Sequence, residues 1–241
     1  MVMRLPVSLS ALLVAVAATV ACASTHAQAR STAAQTAGNG TYIAVDPLAN
    51  IRYDDRYDVS LGAAYGHQKA GPPPLLEGSN LGGLDLTASY WFSKHWALEG
   101  TGRAYLGSSG AGPNHDGTNG GPIKGPFIAQ YMFGAGPEWL GPHNKHGAFF
   151  AHALIAGAYG SFQKDLLGNP PSDFSFFNDQ FAPAAIIGGH IDLNRTPQWV
   201  FRITPDALYT RYGINYGTMA TYPYWNFGVS VGVEYKFKKK R

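Results

Sequence analysis

The stretch WNFGVSVGVEYKF, residues 225–237, alternates between two kinds of side chain along its whole length. Its odd-numbered positions are all apolar or aromatic, and its even-numbered positions are all small or polar. A period of two places these two sets on opposite faces of a β-strand, whereas a helix would bring residues three and four apart onto one face. The stretch therefore predicts a strand with one apolar face and one polar face.

The same alternation recurs upstream and predicts eight strands in all. The seven further segments are residues 57–66, 84–92, 96–105, 127–139, 149–159, 181–193 and 199–210. In 149–159 the alternation is blurred, because apolar side chains fall on both faces. The predicted connections alternate between long ones (68–81, 107–125, 161–180 and 211–221) and short ones (93–95, 141–146 and 194–198). Such sorting is typical of an antiparallel, up-and-down barrel whose short turns lie in the periplasm and whose long loops lie outside.

Composition restricts the function classes. No apolar run of 18 residues or more follows the N-terminal region, so a membrane role would require a closed barrel, the other structure that satisfies its backbone in lipid. The net charge of +3 is too small to indicate a nucleic-acid partner. The single cysteine, Cys22, excludes both a disulfide framework and a cysteine metal site.

The N-terminal residues 1–29 have the features of a secretory signal peptide. Arg4 precedes the apolar run 5–21, and Ala27-Gln28-Ala29 is an acceptable cleavage pattern, as is the earlier pattern around Cys22. Lipid attachment at Cys22 is an alternative, because 19–22 loosely resembles a lipoprotein cleavage box. We expect residues 30–56 to form a linker with an extended piece at 42–45, residues 57–237 the barrel, and residues 238–241 a basic tail.

Aromatic residues mark both ends of the predicted strands. One set flanks the short turns and another flanks the long loops, as the two interfaces of a membrane would select. We expect the two belts to contain Trp96, Trp139 and Trp199 on one side and Tyr65, Tyr159 and Tyr209 on the other.

The last strand also resembles the C-terminal insertion signal of bacterial outer-membrane β-barrels through Ser230, Gly232, Tyr235 and Phe237. With eight predicted strands, residues 57–237 resemble the transmembrane domain of outer-membrane protein A and the opacity-like barrels. The resemblance implies an all-β, antiparallel, up-and-down eight-stranded transmembrane barrel in the outer membrane. Its implied partners are outer-membrane lipids, lipopolysaccharide and the barrel-assembly machinery. The chain departs from the pattern because four basic residues follow Phe237 and no peptidoglycan-binding domain follows.

Charged residues recur on the inward face of the predicted strands. We interpret them as a salt-bridge network that fills a narrow lumen, because eight strands leave little more room than side chains need and buried charges must be paired. The network is expected to include Glu99, Arg103, Glu138, Arg202, Asp206 and Glu234. The expected cross-strand pairs join Glu99 or Glu138 to Arg103 or Arg202.

Two histidine patterns suggest chemistry. His190 and Asp192 share one face and suggest an acid–base pair, which His152 could join with Ser161 or Ser230 as nucleophile. Some barrels of the resembling class are lipid A acyltransferases or deacylases, but these work near the outer leaflet, whereas Asp192 abuts a short turn. His143 and His146 have spacing that could ligate a metal. They lie in a Gly/Pro-containing turn without a third ligand nearby, so we expect solvated turn residues.

The loop aromatics Phe174, Phe176 and Phe177 indicate either an exposed interaction surface or packing across the barrel mouth. Taken together, the sequence predicts a non-enzymatic outer-membrane protein with a structural or surface-binding, adhesin-like role. Its loops could bind an extracellular ligand. A small passive pore and a lipid A-modifying enzyme are the alternatives. No catalytic residue, metal ligand or cofactor is expected.

Overall fold

In the computed structural model of this chain, the regular structure of the residues described is all β-strand. The structure describes residues 35–37, 41–43, 46–72, 78–109, 127–164, 176–215 and 219–237. The predicted signal peptide, Cys22, Phe174 and the basic tail 238–241 lie outside these residues. Among the described residues, no helix is long and apolar enough to cross a membrane.

A small antiparallel hairpin precedes the main sheet. Its strands are β1 (Gln35–Ala37) and β2 (Thr41–Ile43), and Thr36 pairs with Tyr42. The hairpin lies in a separate compact unit, Met1–Ala49. The predicted extended piece at 42–45 overlaps β2.

Eight antiparallel strands close into a barrel in the second compact unit, Asn50–Arg241. Each strand pairs with the next along the chain, and β10 pairs with β3 to close the ring. The predicted all-β, up-and-down eight-stranded barrel is therefore confirmed. Its strands are β3 (Tyr57–Lys69), β4 (Gly78–Trp91), β5 (Trp96–Ser108), β6 (Phe127–His143), β7 (Gly147–Ser161), β8 (Gln180–Asn194), β9 (Trp199–Asn215) and β10 (Met219–Phe237).

The two longest connections, between β5 and β6 and between β7 and β8, lie at the same end of the barrel. Tight turns at residues 92–95, 144–146 and 195–198 define what we call the turn end, and the opposite end is the loop end. The predicted long loop 211–221 is wrong, because β9 and β10 continue as a ladder in which Gly213 pairs with Thr221. Only residues 216–218 separate these two strands. The predicted loop 68–81 also shrinks, since Gln68 already pairs with Ser79.

The outer wall of the barrel is apolar. Large hydrophobic side chains on the outward positions are exposed from one end to the other, and Ile155 is 85% exposed. The predicted blur in β7 resolves into regular alternation: Phe149, Ala151 and Ile155 point outward and Phe150 and Leu154 inward. Both faces of β7 are apolar because part of the lumen is itself packed with hydrophobic side chains.

The seam that closes the barrel requires a glycine. A Cβ atom built on Gly232 would lie 2.2 Å from the backbone oxygen of Leu61 and 2.4 Å from the Cα of Gly62. Because real Cβ atoms do not approach backbone atoms so closely, any side chain at position 232 would force β10 away from β3. Gly232, the glycine of the predicted insertion signal, is therefore also required for the close approach of β10 to β3.

Candidate functional site in the barrel lumen

The half of the lumen nearer the turn end is built around Arg202. This side chain projects inward from β9 and donates from Nε and Nη2 to the two oxygens of Asp192, at 2.9 and 3.1 Å. Its Nη2 also lies 2.9 Å from Oε2 of Glu234 on β10. Asp192 and Arg202 are direct register partners, so strand pairing places this bidentate ion pair. The three side chains are buried.

A second arginine spans the middle of the lumen. Arg103 on β5 contacts Asp85, its register partner on β4, at 3.3 Å. It also contacts Asp206 on β9, the strand on the opposite side of the ring. Asp85 in turn accepts hydrogen bonds from the hydroxyls of Ser230, at 2.7 Å, and Thr101, at 3.1 Å. The network thus ties together strands that are not neighbours in the sheet.

Two histidines link the remaining carboxylates. Nδ1 and Nε2 of His152 lie 2.8 Å from Glu99 and 2.8 Å from Asp206, respectively. His190 lies 2.8 Å from Glu138 through Nε2 and 3.0 Å from Asp192 through Nδ1. Without another ligand, an imidazole whose nitrogens both face carboxylates satisfies both contacts only when both nitrogens carry protons.

The pairing inside the network differs from the expected one. All six residues of the predicted network lie in the lumen and are buried. The pairs offered as examples, Glu99 or Glu138 with an arginine, do not form direct ion pairs among the described residues. Both glutamates contact histidines, and the arginines contact aspartates and Glu234. Strand parity alone marks His152 and His190 as inward. Their contacts with carboxylates on other strands were not predicted, because alternation along one strand does not show which side chains meet across the barrel.

Of the catalytic arrangement considered from the sequence, the His190–Asp192 pair forms, but neither candidate serine joins it. Ser161 donates its hydroxyl proton to Asp179 at 3.1 Å, and Ser230 donates to Asp85 at 2.7 Å. A serine nucleophile needs a histidine within hydrogen-bond reach to take its proton. Here the hydroxyls of both candidate serines are directed to carboxylates instead.

Aromatic side chains fill the lumen toward the loop end. We call Phe162, Phe176, Phe177 and Tyr212 the aromatic plug, and each is at most 1% exposed. Phe162 meets Tyr212 and Phe177 edge-on, with ring centroids 5.0 and 5.7 Å apart. Backbone bonds from Phe177 and Asn178 to the strand ends hold this segment in place. Of the two alternatives for Phe176 and Phe177, the structure shows packing across the mouth.

Tyr53 covers the lumen at the turn end. Its hydroxyl donates to the backbone oxygen of Asn144 at 2.9 Å and accepts from Nδ2 of Asn194 at 2.7 Å. The Nζ atom of Lys236 lies 4.7 Å from the ring centroid, within range of a cation–π contact. Burial raises the pKa of Tyr53 above its ordinary value. The segment expected to be a linker thus contributes part of the barrel's interior.

His143, considered as a metal ligand, has other contacts in the turn. Its Nδ1 lies 2.9 Å from the backbone oxygen of Gly141, and its ring centroid lies 4.7 Å from that of Tyr53. His146 is exposed. These contacts give His143 a structural role at the turn end.

The residues of the two expected aromatic belts lie on the outward face, near opposite ends of the barrel. Trp96 and Trp139 are register partners, and both are exposed, as is Trp199. The tyrosines lie toward the loop end: Tyr159 is exposed, and Tyr65 and Tyr209 are partly so.

In the predicted insertion signal, Phe237 is exposed and packs edge-on against Tyr235, with ring centroids 4.9 Å apart. Tyr235 also contacts Trp199, with ring centroids 5.0 Å apart. Ser230 points inward to Asp85. The predicted signal thus places its two aromatic rings toward lipid and its serine inside the barrel.

Comparison with solved structures finds the same fold. Neisserial surface protein A is 14% identical with a TM-score of 0.52, and the match covers 75% of this chain and 97% of that one. The outer membrane protein OprG from Pseudomonas aeruginosa is 13% identical with a TM-score of 0.52, covering 78% and 99%. No family model and no curated protein matches the chain.

The chain therefore has the fold of the eight-stranded outer-membrane barrels, and the resemblance seen in the sequence is confirmed at the level of the fold. Its apolar outer wall is that of a barrel that spans a membrane. Fold and wall together support the expected location in the outer membrane.

Proposed function

We propose that this chain is a non-enzymatic outer-membrane barrel with a closed lumen, and that its role is structural or surface-binding through its loops. The observation that carries the proposal is the filling of the lumen. A buried ion network occupies the middle and the half nearer the turn end, and the aromatic plug occupies the half nearer the loop end. A lumen filled in this way favours a stable folded barrel rather than a path for transported molecules.

The proposal assigns the turn end to the periplasm and the loop end to the cell exterior. Short periplasmic turns and longer external loops are the rule for such barrels. Residues 110–126 and 165–175 would then be the outward segments available to a ligand. The tyrosine belt near the loop end would contact lipopolysaccharide in the outer leaflet, and the barrel-assembly machinery would recognise the last strand.

The pore alternative has less support. Arg103 bridges strands on opposite sides of the ring, and Tyr53 and the aromatic plug cover the two ends. Planar-bilayer recording of the refolded protein tests this point, and we expect no stepwise conductance at moderate voltage. Regular single-channel steps that disappear on heat denaturation would overturn the closed-lumen proposal.

The enzyme alternative also has less support, since the candidate serines Ser161 and Ser230 donate to carboxylates. Mass spectrometry of lipid A from cells with and without the protein tests it directly. We expect identical lipid A profiles. A change in acyl chains that requires the protein would replace the present proposal with an enzymatic one.

A loop-trimmed variant separates the two roles within the proposal. Residues 110–126 and 165–175 are replaced by short Gly-Ser turns, and both forms are expressed in cells that lack the protein. If the role is structural, both forms restore resistance to detergent equally. If the role is surface binding, only the full chain restores attachment of cells to the surface under test, while the folded fraction of both forms is the same.

A further inference from the structure

Three side chains meet inside the lumen between the two arginine centres, and we call them the waist cluster. They are Glu99 on β5, Glu138 on β6 and His190 on β8, and one ligand atom from each lies within 4.8 Å of the others. Each is at most 2% exposed. Two carboxylates and an imidazole, shielded from bulk water, form a donor set suited to a borderline divalent cation.

From this arrangement we propose that the waist cluster is a binding site for a single divalent transition-metal ion of the Zn²⁺ class. Glu99 and Glu138 would supply oxygen ligands, and Nε2 of His190 would supply the nitrogen ligand. The ion would join β5, β6 and β8 within the barrel. This inference concerns the interior and is independent of what the loops bind.

The surroundings of His190 support the site. Its Nδ1 faces Asp192 at 3.0 Å, and Asp192 is held by both nitrogen contacts from Arg202. A metal-bound histidine normally donates its other ring N–H to a carboxylate or carbonyl, which fixes the tautomer and aims the free nitrogen at the metal. Phe150 stacks on the same imidazole, with ring centroids 4.3 Å apart, and further restrains it.

Unsatisfied polar atoms at the cluster are a second, independent indication. Ser89 is the register partner of Glu99, so its side chain lies on the inward face beside the cluster. Yet within the described part of the chain, neither the Ser89 hydroxyl nor Oε2 of Glu138 makes a hydrogen bond of ordinary length and angle. Both residues are buried, where an unused donor or acceptor is costly. A cation bound by Glu138, with the Ser89 hydroxyl or a water as a further ligand, would use both.

The charge of the interior also favours a bound cation. The buried carboxylates outnumber the buried cations among the described residues of the lumen. The carboxylates are Asp58, Asp85, Glu99, Glu138, Asp192, Asp206 and Glu234, and the permanent cations are Arg103, Arg202 and Lys236. A bound divalent cation would offset part of this excess of carboxylates, and uncompensated buried charge is expensive.

Metal binding requires the ligand atoms to shift from their present contacts with the histidines. Two ligands bound at about 2.0–2.1 Å in a tetrahedral site lie about 3.3 Å apart. Nε2 of His190 and Oε1 of Glu138 are now 2.8 Å apart, so the ion would separate them slightly. A cavity of about 20 Å³ at the turn end is lined by Tyr53 and Phe150 among others. Phe150 lies between that cavity and His190, because its ring lines the cavity and also stacks on the imidazole.

The test uses the full barrel, without an affinity tag, refolded in detergent micelles and titrated with Zn²⁺ by calorimetry. We expect one ion per chain, and a loss of affinity of about tenfold or more in Glu138→Gln. The glutamine keeps the size of the side chain and can still bond to His190. The matched control is His143→Gln with His146→Gln, which removes histidines from the exposed turn and should leave the affinity unchanged. Heat-modifiable migration on gels verifies that each variant is folded.

Three results would overturn the site: no stoichiometric Zn²⁺ in the folded barrel, unchanged affinity in Glu138→Gln, or loss of binding only in the turn control. The last would identify the turn histidines as an adventitious site. X-ray absorption of the zinc-loaded natural protein gives a check that needs no variant. One imidazole among nitrogen and oxygen ligands is expected, and two or more imidazoles would contradict the waist cluster.

Discussion

Replacing Ile155 by lysine tests the lipid-facing wall at its most exposed large side chain. Ile155 is 85% exposed and pairs with Ala135 and Ala185, so no large neighbour shields it. Phe149 is the matched control, since it lies on the same strand and the same face near the turn end. The two variants compare the cost of a lysine, in free energy of unfolding, at positions 155 and 149.

The structure gives the depth difference. Six residues separate the two positions, which is about 20 Å along a strand and about 15 Å along the membrane normal at a tilt of about 40°. Because the apolar band is about 25 Å tall, Ile155 falls near its middle when Phe149 lies at one edge. Lysine costs about 2–4 kcal/mol at the midplane and about 0–1 kcal/mol near an interface. We therefore expect Ile155→Lys to be less stable than Phe149→Lys by about 2–3 kcal/mol.

The assay is reversible urea unfolding from lipid vesicles, followed by tryptophan fluorescence, with all three proteins in the same lipid. Matching slopes against urea concentration would show that the folded and unfolded states are comparable. Equal free energies of unfolding for the two variants would refute the depth assignment. A negligible cost at both positions would refute the lipid-facing wall itself, since a lysine exposed to water at position 155 would cost little.

Three further predictions concern the interior, the turn end and the last strand. Arg202→Met should lower the free energy of unfolding by about 3–5 kcal/mol, because it leaves buried carboxylates without their cation. Urea titration measures this loss, and a loss below about 1 kcal/mol would contradict the ion network. Tyr53→Ala should increase the labelling of a cysteine probe placed inside the turn end. It should produce no conductance in planar bilayers, because the aromatic plug remains. Conductance would show that Tyr53 alone closes the lumen. Tyr235→Ala combined with Phe237→Ala should leave the protein in the periplasm on cell fractionation. Trp225→Ala combined with Phe227→Ala, the control, removes two exposed aromatics of the same strand outside the signal and should reach the outer membrane. Normal outer-membrane levels of the Tyr235/Phe237 double variant would argue against the insertion signal.

Much of the fold could be predicted because alternation is a local property. In β9 the sequence alone assigns Phe201 to one face and Arg202 to the other, and the structure agrees. The prediction failed where pairing overrides local signals. Residues 211–221 were predicted to be a loop, yet Gly213 and Thr221 within that range are register partners, because the ladder between β9 and β10 continues through them.

The sequence by itself determined which side chains enter the lumen, because a period of two sends every second residue inward whatever the neighbouring strands are. Only the tertiary structure decided which of them meet. Arg103 reaches Asp206 across the ring, and His152 bridges Glu99 and Asp206, through contacts that depend on strand number, stagger and diameter. The same closure turned Phe176 and Phe177 from loop aromatics into a plug, because a barrel mouth offers them a buried surface that no single strand provides.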